Sequence, residues 1–194
     1  HGHAGHVNGG PTNAMQIVPS GPGFPSEPNL RMFSTLINQA TRKVSITSPY
    51  FVPDEYLLGA ITSAAFRGVR VDLFVGEEAD QFIVGHAQRS YYTALLEAGV
   101  NIHLYPKPMV LHSKYLTIDD SIAMIGSSNL DYRSFALDYE ITLLAFGGDL
   151  VDQLTANDEE YLAVSHELTI EQWRQQPWHK RYLDNVCRLA SAVM

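Results

Sequence analysis

Between residues 111 and 141 stand His112, Lys114, Ser127, Asn129 and Glu140, side chains that together can act on a phosphoryl group. Residues two apart in a strand point to the same face, so the spacing predicts that His112 and Lys114 reach one site side by side. That pairing suits an oxyanion. The neutral imidazole of His112 can attack phosphorus, the ammonium of Lys114 can neutralise a nonbridging oxygen, and the Ser127 hydroxyl and Asn129 amide can donate to the same group. A nucleophilic imidazole also needs its second ring nitrogen oriented, and Glu140 on a neighbouring strand can accept a hydrogen bond from it. This chemistry requires no metal and no cofactor. Taken singly, each residue has an ordinary reading: a strand His and Lys can form a solvated face, and Gly126 can relieve a strand end.

The full order His-x-Lys-x4-Asp-x6-Gly-Ser-x-Asn, formed without a gap by His112, Lys114, Asp119, Gly126, Ser127 and Asn129, resembles the signature of the phospholipase D superfamily. The resemblance extends over residues 15–194 and is similar to the carboxyl-terminal half of the bacterial cardiolipin synthases. VPSG at 18–21, SPYFVP at 48–53, NLDYRS at 129–134 and the acidic Glu140 carry it. It implies an α/β/α sandwich with a mixed, largely parallel sheet. It also implies that His112, Lys114, Asp119 and Glu140 form the catalytic set, with Asp119 supporting Lys114, Glu140 orienting His112, and Ser127 and Asn129 completing the phosphate pocket. The implied activity is a phosphatidyltransferase that makes cardiolipin from two phosphatidylglycerol molecules through a phosphohistidine, at a bacterial cell membrane and without a cofactor. Two alternatives are a hydrolase of the same superfamily, phospholipase or nuclease, working as a dimer, and a lipid-binding half that is inactive alone.

One departure from the pattern has a chemical consequence. Enzymes of this superfamily bring two His-x-Lys motifs together, and this chain carries one; His86, His103, His166 and His179 lie in no second pair and read as structural or surface residues. The expected partner is therefore a first half carrying the other motif, whose removal the absent initiator Met favours, or a second copy of this chain. A smaller departure is Asp138, a negative charge where the family often has a neutral amide. Asp131 and Arg133 read as an internal ion pair beside the site.

The elements that must position these residues follow from hydrophobic spacing. Apolar residues predict an edge strand at 15–18, helices at 29–42, 56–67 and 80–98, and strands at 43–47, 69–75 and 100–105. That βαβαβ alternation implies right-handed crossovers and parallel strands. Beyond Pro108 the order changes to strands at 111–119, 121–126 and 139–146, then helices. Tyr50 and Phe51 are expected either to wall a pocket or to be buried in the core.

With 194 residues, 45% apolar, the chain is long enough for one compact domain, expected at residues 15–194. Residues 1–14, rich in Gly and including His1, His3 and His6, read as a disordered linker or appended remnant rather than a metal site. Thirteen Lys and Arg against 21 Asp and Glu give a net charge of −8, which disfavours nucleic acid as a partner. No apolar run exceeds four residues, so no transmembrane helix is expected, and the single Cys187 excludes an internal disulfide. The last segment gathers Trp173, Arg174, Trp178, Lys180, Arg181 and Tyr182 near Leu183, Val186, Leu189 and Ala190. The four apolar residues are expected to pack a helix on the domain, leaving a basic rim available to lipid.

Overall fold

The computed structural model describes residues 14–24, 26–79 and 81–191, so the amino-terminal histidines lie outside the described residues. In chain order the elements are β1 (Ala14–Ser20), α1 (Pro28–Gln39), β2 (Lys43–Thr47), β3 (Phe51–Val52), α2 (Glu55–Phe66), β4 (Arg70–Gly76), α3 (Phe82–Ser90), α4 (Tyr92–Ala98) and β5 (Asn101–Tyr105). They continue as β6 (Tyr115–Ile118), β7 (Ile122–Gly126), β8 (Leu130–Asp131), α5 (Tyr132–Ala136), β9 (Glu140–Phe146), α6 (Asp149–Val164), β10 (His166–Leu168), α7 (Ile170–Arg174) and α8 (Trp178–Ser191).

Alternation along the strands divides the interior into two cores. In β2, Val44 and Ile46 join the larger core with Leu30, Phe33, Ile37, Leu57 and Ile61 of α1 and α2. Tyr115, Ala123 and Ala145 face the other way and meet Val151 and Leu154 of α6. Helices therefore cover both faces of one sheet, ordered β1-β9-β7-β6-β2-β4-β5-β10, as the sandwich expectation required.

The sheet is not largely parallel. Among the described residues only β2–β4 and β4–β5 pair in parallel; the other five pairings of the large sheet are antiparallel. The physical reason is connection length. A helical crossover returns the chain parallel, whereas the two-residue link between β6 and β7 can only reverse it.

That link gives Asp119 its place. Asp119 (φ 51°) and Asp120 (φ 53°) both sit in the left-handed region, as a type I′ hairpin turn demands, and Ser121 N donates to Ile118 O at 3.0 Å. The Asp119 carboxylate accepts from Thr41 N (2.9 Å), Thr41 Oγ1 (2.8 Å), Arg42 N (2.8 Å) and Lys43 N (2.8 Å). These bonds explain why α1 stops at Gln39 rather than running to 42: the amides of 41 and 42 are held by a side chain from another hairpin.

Partial burial pushes the Asp119 carboxyl up, but the bonds from Lys43, Thr41 and Arg42 outweigh it and hold it below the usual range. A depressed value means that the stabilisation is fully present above the unfolded pKa, about 3.9, and is lost as pH falls through the folded value. Asp119→Asn is therefore expected to remove roughly 2 kcal/mol of stability at neutral pH. Denaturant melts should show that the loss shrinks as pH drops below about 4; an unchanged midpoint at pH 7 would contradict the clamp.

Two other expectations shift. The helix expected at 80–98 is two helices, because the chain turns at Tyr91, where α3 leaves to pack on α8 while α4 stays on the sheet. The strand expected at 111–119 begins only at Tyr115, so residues 111–114 lead into β6 as irregular backbone.

Candidate active site

The backbone before β6 is fixed from three sides. Leu111 is buried, Ser113 Oγ lies 2.8 Å from Tyr161 Oη of α6, and Lys114 O accepts from Gly126 N at 3.1 Å. With Ser113 turned toward α6, His112 and Lys114 continue the row of Leu116 and Ile118 on the opposite face. They do stand side by side: Lys114 Nζ donates to His112 O at 3.0 Å and lies 3.4 Å from His112 Nδ1. Their location is the carboxyl-terminal end of β2 and β4, where ligands gather in open α/β sheets.

Gly126 brings the next strand to this point. A Cβ there would collide with Ile141 O and stand 2.9 Å from Thr142 Cα, so only glycine lets β9 approach so closely. Ser127 then meets Glu140. Its hydroxyl donates to Glu140 Oε2 and accepts from Ile141 N at 3.1 Å, and Ser127 N donates to Ile141 O at 3.1 Å. Gly21 (φ 127°) does the same from the other side: a Cβ there would lie 2.6 Å from Asp138 O, so the VPSG turn presses on the backbone just ahead of Glu140.

The structure thus brings together His112, Lys114, Ser127 and Glu140 and sets Asp119 apart. Five residues of strand rise place Asp119 roughly 16 Å from Lys114. Its partners are the amides of 41–43, so its support of the site is exerted through the fold and not by contact. Glu140 also departs from the expected arrangement, because its hydrogen bond is with Ser127 and none joins it to His112 among the described residues. Burial lowers the Lys114 pKa, partly offset by the carboxylates of Glu140 and Asp131.

SPYFVP and NLDYRS, far apart in sequence, pack against each other here. Phe51 and Val52 pair in parallel with Leu130 and Asp131, and Ser48 Oγ donates to Tyr50 O (2.6 Å) while accepting from Leu130 N (3.3 Å). The two readings of this segment divide by residue: Phe51 is fully buried, whereas Tyr50, Val52 and Pro53 line a cavity of about 830 Å³ that also includes Asn129, Asp131 and Tyr132. The buried Oδ1 of Asn129, a residue that lines this cavity, has no hydrogen-bond partner among the described residues. Asp131 caps α5 by accepting from Ser134 N at 2.7 Å, and Arg133 Nε pairs with Asp138 at 3.2 Å, which gives the unexpected acid at 138 a partner.

A polar layer that no sequence motif marks lies beneath β6. Asp158, buried on α6, accepts from Tyr115 Oη and Thr117 Oγ1 at 2.8 Å each, and burial pushes its carboxyl up. Asp158 stands one turn before Tyr161 on α6, and no spacing in the sequence links either residue to the signature. His103 and His86 are structural, as expected: His103 Nε2 lies 2.9 Å from Asp72 on the α6 face, and His86 Nδ1 lies 2.6 Å from Asp184.

A helix-covered mixed sheet with a His-x-Lys pair at the strand ends, faced by a Gly-Ser turn and an acid, defines a phospholipase D-type domain. Residues 33–162 match the family described as "Cardiolipin synthase, PLD-like domain". A cardiolipin synthase of Halalkalibacterium halodurans is 39% identical over 180 residues, 93% of this chain and 36% of that protein. Among solved structures, phosphatidylserine synthase of Haemophilus influenzae superposes with TM-score 0.74 at 18% identity, over 95% of this chain and 49% of that one. Nuc of Salmonella typhimurium, a phospholipase D family member, gives TM-score 0.69 at 15% identity, over 81% of this chain and 99% of that one. The chain belongs to the phospholipase D-like domain family of cardiolipin synthases, and it spans about a third of the length of the curated relatives it matches.

Proposed function

We propose that this domain is one half of a phosphatidyltransferase that joins two phosphatidylglycerol molecules into cardiolipin and free glycerol. The observation that carries this reading is the convergence of His112, Lys114, Ser127 and Glu140 at one end of the sheet. In the first step a ring nitrogen of His112 bonds to phosphorus as the bond to the glycerol oxygen breaks, and that oxygen takes a proton from a general acid of the complementary half, so that glycerol leaves neutral. In the second step the hydroxyl of another phosphatidylglycerol attacks the phosphohistidine, loses its proton to a base and restores the imidazole. Lys114 and the Ser127 hydroxyl stabilise the charge on the nonbridging oxygens, and Asn129 completes the pocket. The cavity walled by Tyr50, Val52 and Pro53 receives part of the lipid.

Incubation with labelled phosphatidylglycerol, in the presence of a complementary half, tests this reading. Cardiolipin and glycerol are the expected products; phosphatidic acid with glycerol would show that water is the acceptor and that the domain is hydrolytic.

Lys114→Ala is expected to lose about 3 kcal/mol of transition-state stabilisation. Because burial lowers the Lys114 pKa, its charge is lost, and activity falls, at a pH below the usual lysine range. Lys114→Arg, whose guanidinium stays charged, should shift that alkaline limb upward while lowering the rate at neutral pH. Superimposable alkaline limbs would place Lys114 outside the reaction.

A further inference from the structure

Helix α8 packs in the opposite sense from an ordinary amphipathic helix. Apolar spacing predicts that Leu183, Val186 and Leu189 face the domain, yet all three are solvent-accessible, and the side that meets α3 is built from buried Asp184 and Cys187. Asp184 fixes this orientation, with His86 Nδ1 at 2.6 Å and Arg89 Nε at 3.6 Å. Trp173 of the same segment is buried, donating from Nε1 to Thr93 Oγ1 at 2.9 Å, and belongs to the core rather than to the surface.

What α8 turns outward is a stripe. Trp178, Tyr182, Val186 and Leu189 follow at steps of four, four and three, which align on one side of a helix, and they are 74%, 66%, 43% and 76% exposed. Lys180 in the first turn and Arg188, whose guanidinium lies 4.4 Å from the Tyr91 ring centroid, are also exposed on this helix. Residues 178–191 contain three basic residues and one acidic one, Asp184, which is buried against His86 and Arg89, in a chain whose net charge is −8.

We propose that this stripe is the surface on which the domain docks to an anionic phospholipid bilayer. Indole and phenol rings settle at headgroup depth, aliphatic side chains enter the acyl boundary, and Lys and Arg reach back to lipid phosphates. Charge selects the occupant, since the positive helix complements an anionic surface that an acidic chain otherwise repels. Position supports it as well. Leu189 of the stripe and neighbouring Arg188 line the same cavity as Tyr50 and Asn129, so the docking surface runs into the cavity proposed to receive the lipid. The choice of lipid as occupant rests on the proposed lipid substrate, but docking requires no turnover and can be measured without it.

The chain should float with phosphatidylglycerol vesicles at low salt and much less with phosphatidylcholine vesicles, with Trp178 fluorescence blue-shifted and quenched by brominated acyl chains. The triple variant Trp178→Ser, Tyr182→Ser, Val186→Ser should lower partitioning tenfold or more with an unchanged circular dichroism spectrum. Lys180→Glu should weaken binding severalfold on the anionic vesicles alone. Undiminished binding by the triple variant would overturn the proposal, as would absence of wild-type binding. A wild-type dimer that this variant dissociates would overturn it too, by assigning the stripe to a second copy. Vesicle binding without phosphatidyl transfer would sink the proposed function and leave this surface standing; transfer from detergent-dispersed lipid without vesicle binding would do the reverse.

Discussion

His112→Ala is expected to abolish turnover in any assembly that is active, with a loss on the order of 10⁴- to 10⁶-fold, the scale seen when a covalent nucleophile is deleted. The size of the effect follows from what surrounds the imidazole. Its near neighbour is the ammonium of Lys114, which cannot bond to phosphorus while charged, and three of the other described histidines sit elsewhere in the fold. His103 is held by Asp72 on the α6 face, His86 by Asp184 under α8, and His166 sits on β10 at the far edge of the sheet. The check is retention of label by the protein after acid-free quenching with labelled phosphatidylglycerol, alongside steady-state rates. Substantial turnover by the variant, or label retained without His112, would remove it from the reaction.

The site was legible in the sequence to the extent that strand geometry decides it. A period of two places His112 beside Lys114 whether the backbone is paired as a strand or merely extended, so the pairing survives although β6 begins only at Tyr115. Asp119 shows where the pattern stops being informative. A motif's spacing reports that a residue belongs to the constellation, but not whether it acts at the site or on the backbone. Its left-handed φ and its hold on residues 41–43 are long-range facts that only the folded hairpin displays. The Glu140–Ser127 bond is hidden for the same reason, because it depends on β9 pressing against Gly126. Asp158 and Tyr161 were illegible because they support the site from another element, with no fixed offset from it.

For the fold, elements with strong local periodicity were readable and their assembly was less so. Helices α1 and α2 and strands β2, β4 and β5 fall close to their expected spans, because one face of each is apolar throughout. Extrapolating their parallel arrangement to the whole sheet fails at the β6–β7 turn, where two residues reverse the chain. Helix α8 fails differently: apolar spacing marks a face without saying which way it turns, and here the side turned inward carries the buried Asp184 against His86 and Arg89.

As a monomer, the chain is expected to fold and to be a poor transferase, slower than its paired form by roughly 10²- to 10⁴-fold, the contribution of a positioned general acid or base. Folding follows from two filled cores on either side of one sheet. Slow turnover follows from proton accounting. In the proposed reaction, with His112 bonded to phosphorus, the departing glycerol oxygen needs a proton and the incoming hydroxyl must later lose one; the imidazole committed to phosphorus can serve neither. Neither His86 nor His103 is offered as the second imidazole, since each lies against a carboxylate elsewhere. If the partner is another copy of this chain, specific activity should rise in proportion to concentration until the dimer saturates. If it is a different half, activity should follow the amount of complex formed while the secondary structure of this chain stays the same. Mixing His112→Ala chains with intact chains separates the cases: a two-copy site retains at most the turnover of intact pairs, whereas a site completed by another half is titrated only by that half. Full specific activity from chains shown by sedimentation to be monomeric would refute the composite site and require a proton donor within this domain.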